Sequence, residues 1–248
     1  MTQVNRQIGF DGSRLEPARS FLARPAMRKL VMRVCGTPAI GSTASIDFLS
    51  RNHPISNHYG ADRGKPIDRR FIEQFIEIHS AGISGVVMEV QDPTYTNRYG
   101  TNVTKSIVIG IAPGEHITLI SDLLNLREVG SDSVDCVLLT QTLQFVFDLR
   151  AAMSSVFRVL KPGGTLILTV PGIQPLGPDA WPHYWSFTPH SVRKLVAEAF
   201  GREDIVVESF GNVLTAMAFL HGLALEELDP SLVDSTTSAI QSSLASRP

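Results

Sequence analysis

Apolar residues in the middle of the chain follow two different periods. Val134–Leu139 and Leu166–Val170 are short, nearly continuous apolar runs, a pattern typical of strands buried on both faces of a parallel sheet. Between them, apolar side chains recur every three or four residues from Leu149 to Leu160, which predicts an amphipathic helix with Asp148 as its N-cap. Two buried strands joined by one helix predict a parallel pair with a right-handed crossover.

The same alternation recurs on both sides of this unit. One helix is predicted to begin at Pro66 and another after Thr188, where a proline or a capping hydroxyl suits the first turn. Further strands are predicted at Val86–Val90, Ser106–Ile111, Ile117–Ser121 and Ile205–Phe210. We therefore expect an α/β fold with a doubly wound, mostly parallel seven-stranded sheet and helices on both faces.

Three segments differ in composition. Residues 1–53 are basic and acid-poor in their first part, and we interpret them as a partly ordered arm and linker, although the charges also resemble those of an organelle transit peptide. Residues 54–228 hold the predicted strands and helices. Residues 229–248 are serine-rich and weakly apolar, which predicts a flexible C-terminal tail.

Charge and motif content exclude several classes of function. The 248 residues carry a net charge of −2, so general attraction to nucleic acid or to an anionic membrane is not expected. No apolar run reaches the length of a membrane span, and two cysteines without a secretory signal predict a cytoplasmic protein. The sequence has no nucleophile elbow, no phosphate-binding Gly-Lys-Ser loop and no zinc-spaced cluster, and no metal is expected.

The phrase FRVLKPGGTLILTVPG, at residues 157–172, carries a family resemblance together with Asp135 at the start of the preceding strand. It resembles the fourth strand, helix and fifth strand of class I S-adenosylmethionine-dependent methyltransferases, the type 11 group especially. A weaker similarity extends from about Tyr59 to His221 and is closest to methyltransferase-like proteins encoded beside bacterial glycosyltransferases. The resemblance implies a Rossmann-like methyltransferase fold and S-adenosyl-L-methionine as cofactor.

The resemblance also implies cofactor contacts along the first three strands. Glu89 takes the place of the family's acid at the end of the first strand, and Asp122 with Leu123 takes the place that binds adenine. Where the family has glycines, this chain has Gln91, Pro93 and Tyr95, so Gln91 and Tyr95 are expected beside the methionine part, with the tyrosine turned outward to cover it. Where the family places an acid for the ribose, this chain has Ile111 and Ala112.

Other candidate site residues follow from the residue types themselves. Arg63 offers a planar fork to a cofactor carboxylate, or it forms a pair with Asp62 that rigidifies the turn. Thr140 and Gln141 end the fourth predicted strand, where ligands of open α/β sheets bind. The long loop that follows the fifth predicted strand holds a candidate general base and three aromatic side chains that would form a lid or stack on a sugar, namely His183, Trp181, Tyr184 and Trp185.

Two functions remain open from the sequence. The first is transfer of a methyl group to an oxygen of a small-molecule or sugar-containing acceptor in a biosynthetic pathway. The alternative is a catalytically inactive methyltransferase-fold partner or scaffold of a glycosyltransferase or another biosynthetic enzyme. The residues that stand at the family's glycine positions, with the missing ribose acid, motivate the alternative.

Overall fold

The computed structural model describes residues 51–176, 182–203 and 205–234, together with the backbone of residues 240–246. The chain divides into two units, Met1–Arg51 and Asn52–Pro248, and the second is described below. The prediction of a basic N-terminal arm at residues 1–53 falls almost entirely outside the described residues. Trp181 also lies outside them.

Seven strands form one sheet in the order β3-β2-β1-β4-β5-β7-β6. The first five along the chain run parallel where they pair, and β7 is antiparallel to both β5 and β6. This topology confirms the predicted doubly wound, mostly parallel sheet. The strands are β1 Gly85–Val90, β2 Val103–Gly110, β3 Leu119–Ile120, β4 Val134–Thr140, β5 Leu160–Thr169, β6 Val206–Phe210 and β7 Ile240–Ser246.

Helices cover both faces of the sheet. One apolar cluster joins α3 and α4 to side chains of one face, such as Val137 and Leu166, and a second joins α1 to side chains of the other face, such as Leu138 and Ile167. Neighbouring residues of one strand therefore belong to opposite layers, as expected for strands buried on both sides. The helices are α1 Ile67–Ile78, α2 Thr94–Tyr99, α3 Leu149–Val159, α4 Pro189–Phe200, α5 Val213–Leu220 and α6 Pro230–Val233.

The predicted helix caps are present. The Asp148 carboxylate accepts a hydrogen bond from the backbone N–H of Ala151 at 3.0 Å, which caps α3. The Thr188 hydroxyl accepts from Ser191 at 3.1 Å and caps α4, whose first residue is a proline. Both caps satisfy backbone donors that the first turn leaves without intrahelical partners.

The structure differs from the prediction of a flexible tail at residues 229–248. Pro230–Val233 forms α6, and Ile240–Ser246 forms β7 in the middle of the sheet. The strand pairs with β5 on one side and with β6 on the other, so it supplies hydrogen-bond partners to both. Such pairing uses backbone groups, so a serine-rich segment can provide it without the continuous apolar run by which buried strands are recognised.

The helices of the described ranges are too short or too polar to cross a bilayer.

Candidate active site

Two glutamines in left-handed conformation stand at the carboxyl ends of β1 and β4, where the strand order predicts a ligand crevice. These adjacent strands form the point where the strand order reverses, which is where ligands bind in open α/β sheets. Gln91 follows β1 with φ +73° and Gln141 follows β4 with φ +48°. Each backbone N–H still bonds the neighbouring strand, to Ile109 and Thr169, both at 2.9 Å, so the chain leaves the sheet only beyond them. Such strained backbone concentrates at functional sites.

Glu89 lies below this crevice, near the end of β1, and is 1% exposed. One carboxylate oxygen accepts from the backbone N–H of Tyr95 at 3.1 Å. The other accepts from the backbone N–H of Thr96 at 2.9 Å and from its hydroxyl at 2.7 Å. Burial raises the pKa of Glu89, and the hydrogen bonds from Thr96 and Tyr95 oppose that rise. The predicted cofactor acid therefore holds the N-terminal turn of α2, and with it the loop that leads from Gln91.

Tyr95 points into the core. Its side chain belongs to the apolar cluster beneath α1, and its hydroxyl accepts a hydrogen bond from Arg69 at 2.9 Å. Burial raises the pKa of this hydroxyl. The prediction of an outward-turned tyrosine that covers the cofactor is therefore wrong. The first turn of α2 directs the Tyr95 ring into the apolar layer between the sheet and α1.

Arg63 makes neither of its two predicted contacts. Its guanidinium pairs bidentately with Glu227, donating from Nε at 2.8 Å and also from Nη2, and both side chains are only 10% exposed. Asp62 instead accepts from the hydroxyl of Ser56 at 2.5 Å. The Arg63 guanidinium thus fastens the loop before α1 to the turn before α6. It is engaged there, which corrects the prediction that it binds a cofactor carboxylate.

Asp122 and Leu123 follow β3, as the adenine prediction requires. One Asp122 carboxylate oxygen accepts from the backbone N–H of Leu124 at 2.9 Å, while the residue stays exposed and Leu123 is buried. At the end of β2, where the family resemblance implies an acid for the ribose, this chain has Ile111, which is 53% exposed. Glu115 is exposed in the next loop. The crevice therefore presents a carboxylate after β3 and an apolar side chain after β2.

A cavity of about 470 Å³ opens at the carboxyl ends of β4 and β5. The first turn of α1 and the loop before it form one wall, and the residues after β4 and β5 form the other. Gln141 and His183 line it, which brings together two of the predicted site residues. Glu89, Gln91 and Asp122 do not line this cavity but stand beside the crevice described above.

Gln144 contributes an unpaired hydrogen-bond acceptor to the cavity wall. The residue is 2% exposed, and its Nε2 donates to Oε1 of Gln141 at 3.4 Å, a long contact. Its Oε1 is buried and has no hydrogen-bond partner among the described residues. Buried amide oxygens are paired in most native structures, so this side chain at the cavity is a candidate for contact with a ligand donor.

Asp68 contributes the cavity's carboxylate. It lies in the first turn of α1, is half-buried, and accepts from the backbone N–H of Arg69 at 2.9 Å. Burial raises the pKa of Asp68, and the positive charge of Arg69 and backbone hydrogen bonds oppose this rise without cancelling it. Titratable groups with perturbed pKa values in clefts are candidates for catalysis.

His183 is held from two sides. Its ring lies edge-on to Phe145 with centroids 4.6 Å apart, and its Nδ1 lies 2.6 Å from the amide nitrogen of Gln174. Which of the two groups donates in this contact depends on the tautomer of the ring. The contact fixes the orientation of the predicted general base.

The aromatic residues of the long loop form a cluster outside the cavity. Tyr184 and Trp185 pack against Phe147, with centroids 5.3 and 5.9 Å away, and all three are more than a third exposed. The Trp185 indole donates to the carbonyl of Val146 at 3.0 Å. The backbone N–H of Tyr184 donates to the carbonyl of Gln144 at 2.8 Å, which ties the cluster to the cavity wall.

Comparison with known proteins agrees with this architecture. A model of the methyltransferase domain matches residues 99–168, from the end of α2 to β5. A SAM-dependent methyltransferase from Archaeoglobus fulgidus superposes with a TM-score of 0.50 at 14% identity, covering 72% of this chain and 94% of that chain. No curated protein matches the chain.

The chain has the fold of class I methyltransferases, and residues 99–168 match the methyltransferase domain. The N-methyltransferase NodS of Bradyrhizobium japonicum, solved with S-adenosylhomocysteine, has a TM-score of 0.49 at 15% identity, covering 82% of this chain and 95% of that one. The [4+2]-cyclase SpnF has a TM-score of 0.49 at 15% identity, covering 75% of this chain and 84% of that one.

The cofactor of such a domain is S-adenosylmethionine. Gln91 and Gln141 stand at the switch point, and exposed Asp122 with buried Leu123 follows β3, so these strand ends hold both polar and apolar side chains. The exposed Ile111 offers the ribose no carboxylate.

Proposed function

We propose that the chain methylates an oxygen of a small-molecule or sugar-containing acceptor that binds in the cavity beside the crevice. The unpaired Oε1 of Gln144 carries this proposal, because it is an acceptor buried in the cavity wall that a ligand hydroxyl would satisfy. The cavity volume of about 470 Å³ lies in the range usual for small-molecule sites.

In this proposal the cofactor lies across the carboxyl ends of β1, β3 and β4. The backbone at Gln91, the side chains of Asp122 and Leu123 and the turn at Thr140 and Gln141 would hold it. Bound there, it supplies a methyl group activated by a positively charged sulfur. The protein orients the acceptor and excludes water, and the pair of Arg63 with Glu227 supports this by fastening the loop that forms one wall of the cavity.

The acceptor class is argued from the cavity and from the aromatic cluster. Phe147, Tyr184 and Trp185 form an exposed aromatic cluster of the kind that contacts sugars, and Tyr184 and Trp185 directly follow His183. We propose that this cluster contacts the part of the acceptor that extends out of the cavity. A biosynthetic role in the cytoplasm beside a glycosyltransferase belongs to the same proposal and is supported by the sequence resemblance alone.

The proposal is tested by isotopic methyl transfer from S-adenosylmethionine to a panel of monosaccharides and to the matching amino sugars. Hydroxyl acceptors should be labelled by the wild type. Gln144→Leu should lower transfer at limiting acceptor roughly tenfold, because one hydrogen bond to the acceptor is lost. Its melting temperature should hold or rise, because the substitution removes an unpaired buried group.

Ser106→Ala is the matched control. The Ser106 hydroxyl is also buried without a hydrogen-bond partner, but Ser106 lies in β2 and does not line the cavity. This variant should keep both stability and methyl transfer. Labelling of amines in preference to hydroxyls, or full activity of Gln144→Leu, would contradict the proposal.

A further inference from the structure

Methylation of a hydroxyl requires a group that takes its proton, and this inference rests on the proposed function. His183 lines the same cavity, but its Nδ1 is already paired with the side-chain amide of Gln174 at 2.6 Å. A carboxylate in the same cavity offers a second candidate for the base.

Among the described residues that line the cavity, Asp68 is the only carboxylate. Other acids of the same region are already engaged: Asp62 accepts from Ser56, and Glu227 holds Arg63. Asp68 forms no ion pair with a lysine or arginine within the part of the chain that the structure describes, and its hydrogen bond comes from the backbone of its own turn. The carboxylate thus keeps capacity to accept from a ligand.

We propose that Asp68 is the general base that removes the proton of the acceptor hydroxyl. The O–H bond breaks and its proton passes to the carboxylate. The oxygen uses the electron pair to bond the methyl carbon of a sulfonium donor, whose carbon–sulfur bond breaks with its electron pair kept by sulfur. Gln144 accepts from a second donor of the ligand, and the His183 ring lines the same cavity.

The surroundings of Asp68 strengthen its carboxylate as a base. Burial raises the pKa of Asp68 above the ordinary aspartate value of 3.8, which strengthens the carboxylate as a base while leaving it able to ionise. Among the described residues, the titratable and charged groups around it are Arg69 on its own helix and the Tyr95 hydroxyl on α2. Three more line the same cavity, namely His58, Tyr59 and His183. Arg69 supports the ionised form, because its charge lowers the pKa.

The raised pKa also gives a readout that does not depend on activity. A carboxyl whose folded pKa exceeds its unfolded value contributes most to stability below pH 3.8, and this contribution is lost as pH rises through the folded pKa. Asp68→Asn cannot ionise, so it should melt about 2 to 4 °C above the wild type at pH 7 and lose this advantage at acid pH. A purely structural aspartate would instead lower the melting temperature when replaced.

The experiment compares wild type, Asp68→Asn, Asp68→Glu, His183→Gln and Asp229→Asn by melting from pH 4 to 8, by titration with S-adenosylhomocysteine, and by methyl transfer to monosaccharides. Asp68→Asn should bind S-adenosylhomocysteine within about twofold of wild type and lose roughly 100-fold or more in kcat. The rise of the wild-type rate with pH should disappear in Asp68→Asn, persist in His183→Gln and return in part in Asp68→Glu.

Asp229→Asn makes the same charge change at an exposed carboxylate. Hydrogen bonds from Ser231 lower the pKa of Asp229, so its replacement should leave the melting temperature at pH 7 unchanged or lower it, with activity kept. If the wild type methylates a hydroxyl acceptor and Asp68→Asn has the same kcat, Asp68 is not the base, and the proposed function stands. If wild type binds S-adenosylhomocysteine but labels no hydroxyl acceptor, the proposed function fails and the role of Asp68 falls with it.

Discussion

The two buried carboxylates, Glu89 at the end of β1 and Asp68 at the cavity wall, differ in the hydrogen bonds they accept. Burial raises the pKa of both. Glu89 accepts three hydrogen bonds from Tyr95 and Thr96 of α2, whereas Asp68 accepts from the backbone within its own turn. Desolvation therefore has different consequences at the two sites: Glu89 is committed to holding a helix, and Asp68 can accept a proton from a ligand.

The largest expected effect is the loss of stability when the Glu89 carboxylate, which holds α2, is removed. Glu89→Leu keeps an apolar side chain of similar size but leaves two backbone N–H groups and the Thr96 hydroxyl unpaired in the interior. It should lower the free energy of unfolding by about 3 kcal/mol, measured by urea denaturation. Glu89→Gln retains one acceptor oxygen and should lose less.

Glu128→Gln serves as the control for Glu89→Gln. Glu128 is exposed and accepts from the Ser121 hydroxyl at 2.5 Å, so the same change there should hardly move the urea midpoint. If Glu89→Leu unfolds at the wild-type urea midpoint, the carboxylate is not what holds α2, and the contrast with Asp68 disappears.

The elements of the fold could be predicted because their signals are local. The apolar runs of β4 and β5 and the helix between them follow from periods of two to four residues, and Asp148 lies next to the turn that it caps. β7 was missed because backbone pairing holds a serine-rich segment whose side chains give no strand signal.

The candidate site could be predicted only where strand ends define it. Gln141 could be predicted from the rule that ligands bind at the carboxyl ends of strands. Gln144 lies three residues further along the chain and lines the same cavity, so extending the rule by one turn would have included it. The partner of Arg63 is Glu227, which is 164 residues away in the sequence, so no local sequence pattern predicts that pair. Asp68 looks like an ordinary acid in a first helical turn, because its burial comes from the packed chain around it.

A smaller effect concerns the loop that Glu89 holds. Gln91 has φ +73°, which disfavours any residue with a Cβ atom, so Gln91→Gly should be more stable than Gln91→Ala by about 1 kcal/mol. This difference is net of the greater entropy of glycine in the unfolded chain, and because wild-type glutamine also carries a Cβ, Gln91→Gly should exceed wild type by a similar amount. Asn97→Gly, in the exposed part of α2, should instead be destabilised. Urea denaturation of the variants checks the order, and equal stability of Gln91→Gly and Gln91→Ala would contradict the strain at this turn.

The most direct test of the account is a calorimetric titration of the wild-type chain with S-adenosylhomocysteine, repeated on Asp122→Ala. We expect saturable binding at one site in the wild type. Binding should be weaker in the variant, because Asp122 follows β3 at the position proposed to contact the adenine. Absence of any binding heat from the wild type at millimolar ligand would contradict it.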